Sequence, residues 1–253
     1  MHWTGLALSI GMAVAAGLVG CFAVMRRMTL ASDAMSHVAL PGIGLALVFH
    51  FQPALGGLAA LLAGTLLVWG LERQTRISTE TVIGVVFSLA LAVGSMLATG
   101  EELVDALLGA PGTLGRLELA LGLAGAAAVV AFVLTQRNRL VLVLVSGDIA
   151  RTSGIGVGRL ELLYLTAFAL TVALGLRYLG VLLMGSLVII PAATAKHLAR
   201  SLDGMFAISV GVAVASTLAG EILASRLHRA TGPVIIAIAA AIFLASLFVR
   251  RRS

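Results

Sequence analysis

The chain has 253 residues, 60% of them hydrophobic and 11% charged, and a mean hydropathy of +1.11. A soluble domain with one core carries about 25% charged residues, so the composition excludes that class and predicts a polytopic all-α membrane protein. The net charge of +6 does not imply nucleic acid, because the basic residues are scattered between apolar runs and form no stripe interleaved with aromatics.

Apolar segments run over 4–25, 37–51, 54–71, 81–99, 118–135, 161–179, 180–195, 204–224 and 231–249. Read as membrane crossings, they predict eight or nine spans in a single transmembrane domain, 1–253. The 29 glycines suit helices that pack closely in lipid, where association depends on close approach and not on hydrophobicity. "GLVGC" at 17–21 has the shape of a lipoprotein cleavage box. However, "MHWTG" lacks a positive leading region, and Cys21 is followed by apolar residues and then Arg26 and Arg27, so the segment reads as an uncleaved first span. A lone cysteine also excludes an internal disulfide and a multi-cysteine metal site.

The second segment is short and contains Pro41, Gly42 and Gly44, which predicts a broken helix. In a membrane such a break is tolerated only where protein or water satisfies the freed backbone. Almost no loop separates the sixth and seventh segments, which predicts a tight hairpin at 179–180. Two connections are long, 100–117 and 136–160. The second is too polar to span and carries its own short helical stretch around 147–153. Its glycines, Gly154, Gly156 and Gly158, do not fit nucleotide-binding spacing and predict a turn at the membrane surface.

Orientation follows from the basic residues, which favour the cytoplasmic side. With the sides alternating, Arg26, Arg27, Arg73, Arg76, Arg137, Arg139, Arg151, Arg159, Lys196, Arg200 and Arg250 to Arg252 fall together, thirteen of the 17. Arg116, Arg177, Arg226 and Arg229 fall opposite. The N-terminus is therefore expected outside and the C-terminus inside.

Most of the chemistry sits in "TLASDAMSHVALPG", 29–42. On a helix Asp33 and His37, at i and i+4, share a face. A carboxylate and an imidazole together suit zinc, manganese or iron(II), while the lack of thiolates argues against copper(I). His37 follows Arg27 by ten residues, about 15 Å of helix, which brings it near mid-depth. Ionisable groups there line a pathway in preference to facing lipid. Residue spacing alone leaves open a capping Asp and a His bonded to a carbonyl. Glu221, in "VASTLAGEILAS", faces either a cavity or Arg226. His50, His197 and His228 lie at span ends, where interfacial placement explains them. The chain has no GxSxG, HExxH or GxxxxGK[ST] motif, so any ATP-driven motor is another polypeptide.

"RRMTLASDAMSHVALPGIGLAL" (26–47), "GDIARTSGIGV" (147–157), "GVLLMGSLVIIPAATAKHLAR" (180–200) and "TGPVIIA" (231–237) resemble the membrane-spanning permease of bacterial ABC importers for zinc, manganese and iron(II). The resemblance covers nearly the whole chain in the correct order, with D-x-x-x-H-x-x-x-P-G and IIPAATA as its specific parts. It implies that Asp33 and His37 lie on the metal path, with Glu221 a further candidate ligand that rests on no comparable motif. By the same resemblance Asp148, Arg151 and Gly154 belong to a loop coupling to the ATPase, and Pro191 to a span of the translocation region. Where the family often has an acidic residue before Thr231-Gly232-Pro233, this chain has His228 and Arg229, which argues against an outer metal contact there.

The resemblance further implies a homodimer in the bacterial cytoplasmic membrane, a cytoplasmic ABC ATPase dimer, an extracytoplasmic metal-binding protein, and a divalent metal as cargo with no resident cofactor. The rival readings are an importer of a metal chelate or vitamin, an ion-coupled secondary carrier and an intramembrane enzyme. A chelate path would not need an Asp/His pair. A secondary carrier predicts inverted repeats, yet 29–42 has no second copy, and the enzyme reading lacks a nucleophile.

Overall fold

The computed structural model describes residues 3–75, 77–97, 115–179 and 181–248, and they are helical throughout, with no strand among them. The helices are α1 (Trp3–Met25), α2 (Thr29–Val38), α3 (Leu40–Val48), α4 (Pro53–Gln74), α5 (Thr79–Leu97), α6 (Arg116–Val145), α7 (Gly147–Thr152), α8 (Val157–Leu179), α9 (Val181–Leu198), α10 (Leu202–Leu227) and α11 (Thr231–Leu247). The connection over 98–114, Arg76, Gly180 of the expected 179–180 hairpin, and Arg250 to Arg252 lie outside the described residues.

Among the described residues six helices have the length and hydropathy to cross a bilayer: α1, α4, α5, α6, α8 and α10. The eight or nine segments counted from the sequence exceed these six because 33–48 and 231–247 form shorter apolar helices and α9, the seventh segment, is not among the six. The fifth segment also differs from expectation. Its helix does not stop near 135 but continues to Val145, 30 residues in all, or about 45 Å. "QRNRLVLVLV" contains no Gly or Pro, so its polarity marks the end of the apolar run and nothing there stops the helix. Arg137 on this extension meets Asp203 in the first turn of α10 at 2.6 Å.

α1 is the centre of the bundle, 78% buried over its apolar window, whereas α6 is 22% buried and lies at the periphery. Small residues give α1 this position. A Cβ added to Gly17 would meet the backbone of Ser209 and Val210 on α10 at 3.2 Å, and one on Gly20 would strike the Val188 carbonyl of α9. Polar groups then stitch the close contacts: Ser209 donates to the Gly17 carbonyl at 2.8 Å and Tyr164 to the Val19 carbonyl at 3.2 Å. Cys21 is buried inside this continuous helix, and its thiol donates to Gly17 O at 3.2 Å.

Gly42 and Gly56 press α3 against α4, since a Cβ on either would run into the other's carbonyl oxygen. Gly42→Val should therefore overpack this seam and destabilise the protein by about 1–3 kcal/mol. Gly84→Ala, on α5 with open space around its Cβ position, should be neutral or slightly stabilising through helix propensity. Thermal unfolding of the two purified variants in detergent checks the contrast, and equal midpoints would contradict it.

Candidate functional site

"TLASDAMSHV" folds as the ten-residue α2, and a turn at Ala39 separates it from α3. Pro41 falls at the start of α3, where its missing N–H is harmless. α2 packs on α1, α4, α5, α8 and α9, so one face of a short polar helix is fixed from several sides. Met35, Ser36 and Val38 are buried, whereas Asp33 is exposed and His37 half-buried. Gly185 of α9 admits Asp33 closely, since a Cβ there would lie 3.1 Å from the Asp33 Cα. The His37 ring stands 5.5 Å from the Phe87 ring of α5, and its buried Nδ1 has no hydrogen-bond partner among the described residues.

Depth can be read along α9. Near its end Lys196 donates to the Val24 carbonyl at 3.4 Å, level with the last turn of α1. Gly185, beside Asp33, lies eleven residues earlier on the same helix, about 16 Å along its axis, while along α2 Asp33 stands four residues past Thr29, about 6 Å, so the carboxylate sits between these two distances from the basic end. An exposed carboxylate at that depth would face lipid at prohibitive cost unless water, a cation or a second protein surface meets it. Pro191 is buried midway along this stretch of α9, where its ring removes the N–H that would serve the Leu187 carbonyl.

Glu221 is not brought together with Asp33 and His37. It is half-buried near the far end of α10, a helix that packs chiefly on α1, α9 and α11. Arg226 is exposed and makes no ion pair with it among the described residues. No group of three or more His, Cys, Asp or Glu side chains converges on a metal position among the described residues.

The connection from α6 to α8 has its own architecture. Ser146 caps α7 by accepting from the Ile149 N–H at 3.3 Å. At the other end Ile155 N bonds Ala150 O and Gly154 N bonds Arg151 O, each at 3.0 Å. With Gly154 at φ +77° this is a Schellman stop, which needs a residue that tolerates left-handed backbone. Asp148 and Arg151 pair at 3.1 Å but are 91% and 70% exposed, so the pair is worth little to stability. Ile149, 53% exposed, adds an apolar contact point on this small protruding helix.

Beside α7 opens a cleft of about 910 Å³, lined by Glu72 and Arg73 from α4, the 154–158 turn, and Arg151, Arg159 and Glu161. The sequence pattern does not single out its framework. The Trp69 indole donates to the Gly158 carbonyl at 2.8 Å, the Arg73 guanidinium stacks 4.8 Å from the Trp69 ring centre, and Arg26 meets Glu161 at 3.2 Å. The one visible signal is Glu161 itself, a carboxylate at the start of an apolar run.

Residues 1–250 match the ABC 3 transport family. The chain is 30% identical over 255 residues to the high-affinity zinc uptake system membrane protein ZnuB of Haemophilus influenzae, covering 98% of this chain and 96% of that one. It is 32% identical over 263 residues to the manganese transport system membrane protein MntC of Bacillus subtilis, covering 96% of this chain and 59% of the other. Among solved structures, PsaBC from Streptococcus pneumoniae in complex with Fab is similar at a TM-score of 0.85 and 25% identity, over 100% of this chain and 93% of that one. The chain belongs to the ABC 3 transport family.

Proposed function

We propose that this chain is the transmembrane subunit of an ATP-driven importer of a divalent metal ion: zinc, manganese or iron(II). It works as a homodimer in the bacterial cytoplasmic membrane, with a separate ATPase dimer on the inside and a metal-binding protein outside. The observation that carries this reading is the Asp33–His37 pair: a carboxylate and an imidazole on one face of a short helix, held deep among the spans, with the carboxylate exposed and Nδ1 unpartnered. The pair's donors suit these borderline ions and do not choose among them.

Nine crossings follow if α2 with α3 forms one interrupted span and α9 and α11 also cross. The N-terminus is then outside, and the end bearing Arg26, Arg73, Arg151 and Arg159 is cytoplasmic. α7, with Asp148, Arg151 and Gly154, is the element that docks on the ATPase. Glu221, toward the opposite end, serves as an outer carboxylate that an incoming cation passes, and Pro191 helps shape the path beside α2. The capture protein delivers the ion, the Asp33–His37 pairs of both copies hold it briefly, and closure of the ATPases rocks the spans to release it inward.

Asp33→Ala and His37→Ala should each reduce metal uptake to background while the assembled complex survives. The check is uptake of zinc, manganese and iron(II), free and chelated, into vesicles carrying the reconstituted complex, with and without ATP. Normal uptake by both variants would remove the pair from the path. Uptake of the chelate alone would favour the chelate-importer reading, and uptake without ATP a secondary carrier.

Arg151→Glu should weaken ATPase docking by about tenfold, because a reversed charge meets a surface built for the opposite sign. Copurification of the ATPase with the variant, set against wild type, measures this. Undiminished recovery would remove α7 from the docking surface.

A further inference from the structure

The two structured turns at the basic end of the bundle are joined by one partly buried ion pair. The first follows α1. Arg27 N bonds Val24 O at 3.3 Å and Met28 N bonds Ala23 O at 2.9 Å, with Arg27 in the left-handed region at φ +60°. This repeats the Schellman pattern seen at Gly154, but with an arginine where glycine is favoured. Immediately beyond it begins α2, which carries Asp33 and His37. The second turn is the Gly154 stop, which leads from α7 into α8.

Arg26 stands next to the first turn and Glu161 one helical turn into α8, and their side chains meet at 3.2 Å with only 16% and 25% exposure. The same face of α8 presents Tyr164, three residues on. Its ring lies 5.3 Å from the Arg26 guanidinium, and its hydroxyl donates to Val19 O. Trp69, bonded to Gly158 O, braces the start of α8 from α4. A chain of short contacts therefore runs from α7 through the Gly154 turn, Glu161 and Arg26 to the Arg27 turn and the metal-binding face of α2.

We propose that Arg26 and Glu161 are positioning residues that fasten the start of α8 to the α1–α2 turn, so that displacement of α7 is delivered to Asp33 and His37. This rests on the reading of α7 as the ATPase-docking element. A partly desolvated ion pair is a poor source of stability, but it fixes register between two helices, α1 and α8, that pack side by side. Its function is to transmit, and breaking it separates hydrolysis from transport.

The test uses the whole complex with its ATPase and capture protein, reconstituted in vesicles, with Arg26→Gln, Glu161→Gln and the exchanged pair Arg26→Glu/Glu161→Arg. Each single variant should retain the ATPase and its hydrolysis rate within about twofold, yet move at least about tenfold less metal per ATP, the size of a typical coupling between sites. The exchanged pair should recover to within about threefold of wild type, as expected when two residues act through each other. Unchanged metal-to-ATP ratios in the single variants would overturn the proposal, as would an exchanged pair no better than either one. If the single variants fail to accumulate, the exchanged pair decides: transport by it supports the link, and failure overturns it. Loss of the ATPase from the single variants themselves would also overturn it, assigning the pair to docking. The docking reading fails separately, through undiminished ATPase recovery with Arg151→Glu.

Discussion

A carboxylate exposed on a ten-residue helix packed among apolar spans is a condition the surrounding helices must be arranged to meet. Asp33 cannot be left to hydrocarbon, so α2 must be held with its polar face directed at something other than lipid. α2 has only ten residues, too few to cross a bilayer alone, and owes its position to its neighbours. Gly185 lets α9 approach Asp33, Gly64 of α4 admits Val38, and Gly94 of α5 admits Leu40 and Pro41. Each glycine removes the side chain that would push α2 or α3 outward. Their role is positional, and the conformational freedom of glycine is not used at these helical sites.

The two ends of the molecule are built on different chemistry. Around α1 the helices meet through small residues and single hydrogen bonds, as expected where lipid supplies no hydrophobic drive to association. The basic end uses ion pairs and aromatic contacts instead: Arg26 with Glu161 and Tyr164, Arg73 with Trp69, Arg137 with Asp203. With the Trp69–Gly158 hydrogen bond, those interactions join α1 and α4 to α8, and α6 to α10, where the chain leaves the apolar layer. The tight small-residue seams let neighbouring helices move as units, and at the basic end the Arg26–Glu161 pair fastens one such unit to the next.

Much of this was legible in the sequence because hydropathy and turn chemistry are local. The stretch "SGDIARTSGI" predicts a short helix near 147–153, and the helix runs Gly147–Thr152 between a serine cap and a glycine stop. The Asp33–His37 spacing likewise gives a common face without any knowledge of the fold. The end of α6 was not legible, because loss of hydropathy at Gln136 ends an apolar run but not a helix. Nor was the Arg26–Glu161 contact, whose partners are 135 residues apart in the chain. From sequence Arg26 reads only as a topology signal, and its second role depends on which helix arrives beside it. Glu221 shows the converse: a carboxylate in an apolar run is conspicuous, yet its helix carries it away from α2.

One copy of α2 offers one carboxylate charge and two donor side chains, half of the charge balance and half of a four-coordinate ligand set for a dication. Under the proposed two-copy arrangement, two Asp33 carboxylates balance the ion's charge and two His37 rings bring the donors to four. Such a site exists only while the copies face each other at the right separation. Its affinity is then set by the positions of the two α2 helices more than by the softness of their ligands. A few ångströms of movement dismantle the coordination without altering any residue's chemistry. That separates holding from releasing, which a high-affinity site on one chain could not do. It also accounts for a donor set that serves several metals, because choice among them can be made by the protein that delivers the ion, and the membrane path has only to let it pass.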